Sequence, residues 1–188
     1  MEPLSAAELR DALAELARRL ERRGLQARLY VVGGAAMAFA YDADHLTRDI
    51  DAVISHGHGP LMAEVRAMAR ERRWPTTWLN EQATFYMPPV ADRHSEVVFD
   101  HPALVVAVAS PGHMLAMKAR SARARDVADM ANLLGLLGFP TADEVDELVA
   151  SVFPGEHLDE HQRQWVENVI SRTYPASPTG DVGGDLGL

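Results

Sequence analysis

The spacing of apolar residues changes several times along the chain, and each change marks an element. Leu9, Leu13, Leu16 and Leu20 recur three and four residues apart, with Ala12 and Ala17 beside them, which predicts an amphipathic helix over residues 6–23. Ser5 and Glu8 form a Ser-x-x-Glu capping box at its start, and Gly24 stands where a helix stops. The helical period then gives way to the continuous apolar run Leu29-Tyr30-Val31-Val32, a buried strand. Gly33-Gly34 turn that strand into the helix-forming run Ala35 to Ala40. A polar loop from Tyr41 to Arg48 follows, and then a second strand, Asp49 to Ile54.

Further on, residues 55–60 read as a turn-rich loop and 61–73 as a helix. Residues 74–80 form a Pro-containing connector ending in Trp78-Leu79-Asn80, with the tryptophan expected to anchor it on the core. Residues 84–94, with Pro88-Pro89, read as an irregular, flexible loop. Two strands, 96–100 and 103–109, join through His101-Pro102 as a hairpin. Ser110-Pro111 opens a helix as N-cap and first residue, and Met130, Leu133, Leu134 and Leu137 continue the helical pattern. Thr141 and Glu144 cap another helix, Phe153-Pro154-Gly155 breaks it, and a last one covers 157–172. The expected organisation is a domain over 1–138, a helical extension over 139–173 packed on it, and a disordered Pro- and Gly-rich tail over 174–188.

Composition narrows the class. A chain of 188 residues with 47% hydrophobic content suits a single core with an appendage. No apolar run is long enough to span a bilayer, so no membrane association is expected. With no cysteine there are no disulfides and no thiolate metal sites, which fits a cytoplasmic location. A net charge of −9 argues against a protein that coats nucleic acid non-specifically. The arginines at 18, 19, 22 and 23, and at 66, 70, 72 and 73, read as solvated helix faces. His56-Gly57-His58 offers too few ligands for zinc and reads as surface loop.

The chemistry concentrates between Leu29 and Ile54. Glycine lets a ligand approach the backbone closely, and the free N–H groups at the start of the following helix favour an anion. Gly33 and Gly34 therefore form a candidate phosphate cradle. Asp49 and Asp51 are two apart on a strand and share a face. Two adjacent carboxylates repel unless a cation lies between them, and Mg²⁺ favours one or two carboxylates plus substrate phosphates. Thr47 and Arg48 add a hydroxyl and a positive charge just ahead of the pair. Phosphate on the glycines and metal on the aspartates together describe a nucleoside triphosphate site.

Gly33-Gly34 followed by Asp49-Ile50-Asp51 resembles the nucleotidyltransferase superfamily, the DNA polymerase beta-like fold. Lys118 with Arg125-Asp126-x-x-Asp129 resembles the second motif block of the AbiEii-like toxins and of related bacterial nucleotidyltransferase-like proteins, which also tend to carry the Trp-Leu-Asn seen at 78–80. The resemblance covers about residues 28–137. It implies an α/β (α+β) minimal nucleotidyltransferase fold, a small mixed sheet flanked by helices with a C-terminal helical extension. It also implies triphosphate on Gly33 and Gly34, Mg²⁺ on Asp49 and Asp51, and Lys118 on a phosphate or on the developing charge. Asp126 or Asp129 would orient Lys118 or help activate an acceptor hydroxyl. Such enzymes usually place a third acid on a strand beside the Asp-x-Asp strand; Glu96 and Asp100 are the only acidic candidates on the hairpin, and each reads rather as a polar edge residue. The expected activity is Mg²⁺-dependent transfer of a nucleotidyl group from a nucleoside triphosphate to an RNA (tRNA) or protein acceptor, as in the toxin of a toxin–antitoxin pair with an antitoxin partner. The arginines at 120, 123 and 125 would suit RNA phosphates. The rival expectation is a catalytically inactive nucleotide-binding or protein-interaction module on the same fold.

Overall fold

A computed structural model describes residues 2–175. The first helix, α1 (Ala6–Arg22), begins at the expected capping box: Ser5 accepts from the Glu8 N–H, and the Glu8 carboxylate accepts from the Ser5 N–H at 2.8 Å. Strand β1 (Ala27–Val32) runs into α2 (Gly33–Ala36), and the same helical segment widens to a π-helix over Met37–Tyr41. Strand β2 (Ile50–His56) is longer than expected, because only Gly57 separates it from α3 (His58–Arg72). Gly57 has φ +74°, and a Cβ there would lie 2.0 Å from the Gln26 carbonyl, so the anticipated six-residue loop collapses to one glycine.

The segment read as a connector contains a strand. Leu79–Asn80 form β3, parallel to the start of β2, with Ile50 opposite Leu79 and Asp51 opposite Asn80. A 3₁₀ turn over Gln82–Tyr86 follows. The hairpin is β4 (Glu96–His101) and β5 (Leu104–Val108). The sheet order is β3-β2-β1-β5-β4, with β1 antiparallel to β2 and parallel to β5. The fold is therefore mixed α/β, as the sequence predicts.

One face of the sheet is sealed. Ile50, Ala52, Leu29, Val31, Leu104 and Val106 are buried with the apolar stripes of α1 and α3. Arg18, Arg22 and Arg23 are exposed, as a solvated helix face requires, and two side chains of the cluster also reach α3: Arg19 pairs with Glu71 and Arg23 with Glu64. Trp78 is 1% exposed, donates its indole N–H to the Val65 carbonyl and meets Trp74 edge-on, so it is the core anchor its position suggests.

The opposite face is half open and carries Tyr30, Val53 and Ala107 in register across three strands. Because β3 and β4 lie at opposite edges, residues 81–95 must cross the width of the sheet. The crossing is pinned at Asp92, whose carboxylate accepts from the Tyr30 hydroxyl and the Ser110 N–H, both at 2.7 Å. Burial pushes the Asp92 carboxyl up, but these hydrogen bonds and the nearby His113 outweigh it and hold it below the usual carboxylate range. The segment read as a flexible loop is thus tied to the central strand, with Phe85 and Tyr86 left exposed on its 3₁₀ turn.

After β5 the chain forms α4 (Pro111–Ser121), a short 3₁₀ turn, α5 (Val127–Leu137), α6 (Ala142–Val152) and α7 (Glu160–Thr173). These helices pack on one another around Met114, Leu115, Leu133, Leu134, Val145 and Val166. Arg120 lies over the Phe153 ring at 4.3 Å and pairs with Glu156, joining α4 to the end of α6. Of the expected disordered tail, Tyr174 is anchored, its hydroxyl donating to the Leu134 carbonyl at 2.7 Å, and residues 176–188 lie outside the described residues. Among the described residues no helix is long and apolar enough to cross a membrane.

Candidate active site

The glycine turn and the aspartates meet because β1 and β2 are antiparallel, which sets the end of one strand beside the start of the other. Val32, the last residue of β1, faces Asp51 in the ladder. Gly33 has φ +66°, a conformation that disfavours any side chain, and a Cβ on it would touch Asp51 Oδ2 at 3.4 Å. Gly34 is required for space: a Cβ there would lie 2.8 Å from Thr47 Oγ1 and 3.1 Å from His45 Nε2. Thr47 is buried, held by paired backbone hydrogen bonds to Leu4, and donates its hydroxyl to the Asp49 carbonyl at 3.1 Å. Arg48 is exposed and forms no ion pair among the described residues.

Asp51 lies on the half-open face, two residues from Val53, and Asp49 just precedes the strand. Burial and the neighbouring Asp49 push the Asp51 carboxyl up. The Asn80 amide, Arg125 and Arg123 oppose that shift, Arg125 lying in the 3₁₀ turn Ala124–Asp126 and Arg123 just before it. The amide nitrogen of Asn80 lies 3.4 Å from Asp49 Oδ2, and its own oxygen accepts from the Gln82 N–H at 2.9 Å. Asn80 is therefore fixed as a donor to the acid pair, on the strand beside Asp51.

The hairpin acids stand where polar edge residues belong. Glu96 and Asp100 lie on β4, the far edge strand, separated from β2 by β1 and β5. Neither stands beside the Asp-x-Asp strand, and the residue that does is the neutral Asn80. Asp126 and Asp129 are also engaged elsewhere. Lys118 is 7% exposed, and its ammonium donates to Asp126 at 2.8 Å and to Asp129 at 2.6 Å. The other oxygen of Asp129 lies 3.2 Å from His45 Nδ1. One buried chain thus runs from Lys118 through Asp129 to His45 and ends against Gly34.

His45 and Asn80 are the two members that sequence reasoning did not assign to the site. Asn80 carries a signal, the Trp-Leu-Asn motif, but a strand of two residues is too short to show a period. His45 carried none: its contact with Asp129 spans most of the domain and exists only in the folded chain.

The antiparallel β1–β2 pair thus carries a glycine turn at the end of one strand and Asp-x-Asp at the start of the other, within a five-stranded mixed sheet. Residues 9–100 match the family model described as nucleotidyl transferase of unknown function (DUF2204), which supports assignment to the nucleotidyltransferase superfamily. The match contains Gly33, Gly34, Asp49, Asp51 and Asn80, and ends before β5 and the helices that carry Lys118, Asp126 and Asp129. No curated protein and no solved structure matches the chain.

Proposed function

We propose that the protein is a Mg²⁺-dependent nucleotidyltransferase that uses a nucleoside triphosphate. The observation that carries the reading is the acid pair beside the glycine turn: Asp51 is burdened by burial and by Asp49, next to a turn that favours glycine through its φ at Gly33 and its tight space at Gly34. Two hard oxygen donors under mutual repulsion fit a divalent cation, and the donor count fits Mg²⁺, which takes its remaining ligands from phosphate and water. Bound there, Mg²⁺ would neutralise charge on the triphosphate.

The chain's own residues account for the rest. Asp49 and Asp51 hold the metal, and the Asn80 amide orients Asp49. Gly33 and Gly34 leave room for phosphate oxygens near the backbone, while Arg48, Arg123 and Arg125 supply positive charge nearby. The exposed rings of Phe85 and Tyr86 offer faces on which a base would stack. The acceptor is an RNA, such as tRNA, or a protein, and the resemblance to AbiEii-like toxins favours the toxin of a toxin–antitoxin pair. Arg123 and Arg125 suit RNA phosphates better than Arg120, which is committed to Phe153 and Glu156.

A second reading has its own observation. Asn80 occupies the strand beside Asp51, where a third acid would serve as a base, so the site would bind nucleotide without transferring it. Calorimetry with ATP, GTP, CTP and UTP in Mg²⁺ tests both readings. Saturable binding that disappears in Asp49→Ala/Asp51→Ala supports the site, and pyrophosphate release with a tRNA or protein acceptor supports the enzyme. Binding without release under every acceptor favours the inactive module, and no binding of any triphosphate refutes both.

A further inference from the structure

The Lys118–Asp126–Asp129 cluster is too enclosed to act on substrate directly, yet it does not end in the core. It ends at His45. Asp129 takes the Nδ1 side of that ring, and among the described residues Nε2 has no hydrogen-bond partner. Nε2 and Thr47 Oγ1 converge on the space above Gly34, 3.1 and 2.8 Å from where a Cβ would stand. The notch is polar on two sides and exists because residue 34 has no side chain.

We propose that His45 is a phosphate-contacting residue of this site, and that Lys118 is a positioning residue acting on it through Asp129. This rests on the triphosphate reading above and adds a contact which that reading does not contain. The ring meets Asp129 through Nδ1 and turns Nε2 to a phosphate oxygen lying over Gly34. Lys118 offsets the charge of Asp126 and Asp129, so the carboxylate that grips the ring stays fixed. The ligand group recognised is a phosphate oxygen of the bound nucleotide, and the contact is blind to the base.

Two variants separate this from a packing role. His45→Asn keeps an amide nitrogen where Nδ1 meets Asp129 and removes Nε2, whereas His45→Gln restores a donor near Nε2. The probes are ATP, GTP, CTP and UTP with Mg²⁺, each beside its monophosphate, read by calorimetry together with the melting temperature. The expected result for His45→Asn is an unchanged melting temperature, a loss of about tenfold or more in triphosphate affinity and a smaller loss for the monophosphate. His45→Gln should recover most of that loss. Triphosphate binding unchanged in His45→Asn, or an equal loss for both nucleotides, overturns the assignment while leaving the triphosphate site standing. Failure of the wild-type protein to bind any triphosphate removes the underlying reading, and this contact with it.

Discussion

Replacing Lys118 by methionine tests whether that side chain works on substrate or on the fold. Methionine keeps much of the stem volume and removes the charge. In the folded protein the ammonium is 7% exposed and bonds two carboxylates at 2.6 and 2.8 Å. Without it, Asp126 and Asp129, whose side chains are 15% and 9% exposed, lie close together with no cation between them. Breaking a buried ion pair by removing one partner destabilises by about 3–5 kcal/mol. For a chain of this size that corresponds to a fall of roughly 6–20 °C in melting temperature. Asp126→Asn leaves Lys118 bonded to Asp129 and should lose only about 1.5–3 kcal/mol. Asp129→Asn should lie between them, because it also releases His45. Urea unfolding with an unchanged denaturant slope gives all three values. A loss below about 1 kcal/mol for Lys118→Met, the range of exposed pairs, would refute the argument.

Other outcomes follow from the same geometry. Gly33→Ala should lose about 1–2 kcal/mol through its φ of +66°, measured by urea unfolding. Gly34→Ala should impair Mg²⁺–nucleotide binding more than stability, because the new methyl displaces Thr47 and His45, and calorimetry beside a melting curve separates the two effects. Asp51→Asn should be no less stable than wild type near neutral pH in EDTA. A carboxyl with a raised folded pKa penalises the fold above that pKa, and the penalty fades as pH falls towards the ordinary 3.8, so the variant's advantage in melting temperature should shrink with acidification. Asp92 has the opposite sign: its depressed pKa gives stability that is present above 3.8 and lost as pH falls through the folded value. Asp92→Asn should therefore destabilise at neutral pH and flatten the acid limb of the unfolding curve, and an unchanged limb would mean that the crossing segment is not pinned there.

Local chemistry determined the elements of this protein. Capping boxes at Ser5 and Thr141, the Ser110-Pro111 start and the alternation of periods set the helices and most strands, because each depends on residues within a turn of one another. The pairing of Gly33-Gly34 with Asp49-Ile50-Asp51 was legible too, since one short helix and a loop separate them and both lie on a β1–β2 pair. Tertiary structure decided what surrounds them. Strand order placed Glu96 and Asp100 at the far edge and put Asn80 beside Asp51, a choice set by parallel pairing over two residues that no periodicity marks. It also brought Asp129 to His45 and drew Lys118 between two acids, so that residues which look like free catalytic charges in the sequence are partners of one another in the fold. A chain encodes its turns locally, but a buried charge finds its counter-charge only when distant segments close around it and exclude water.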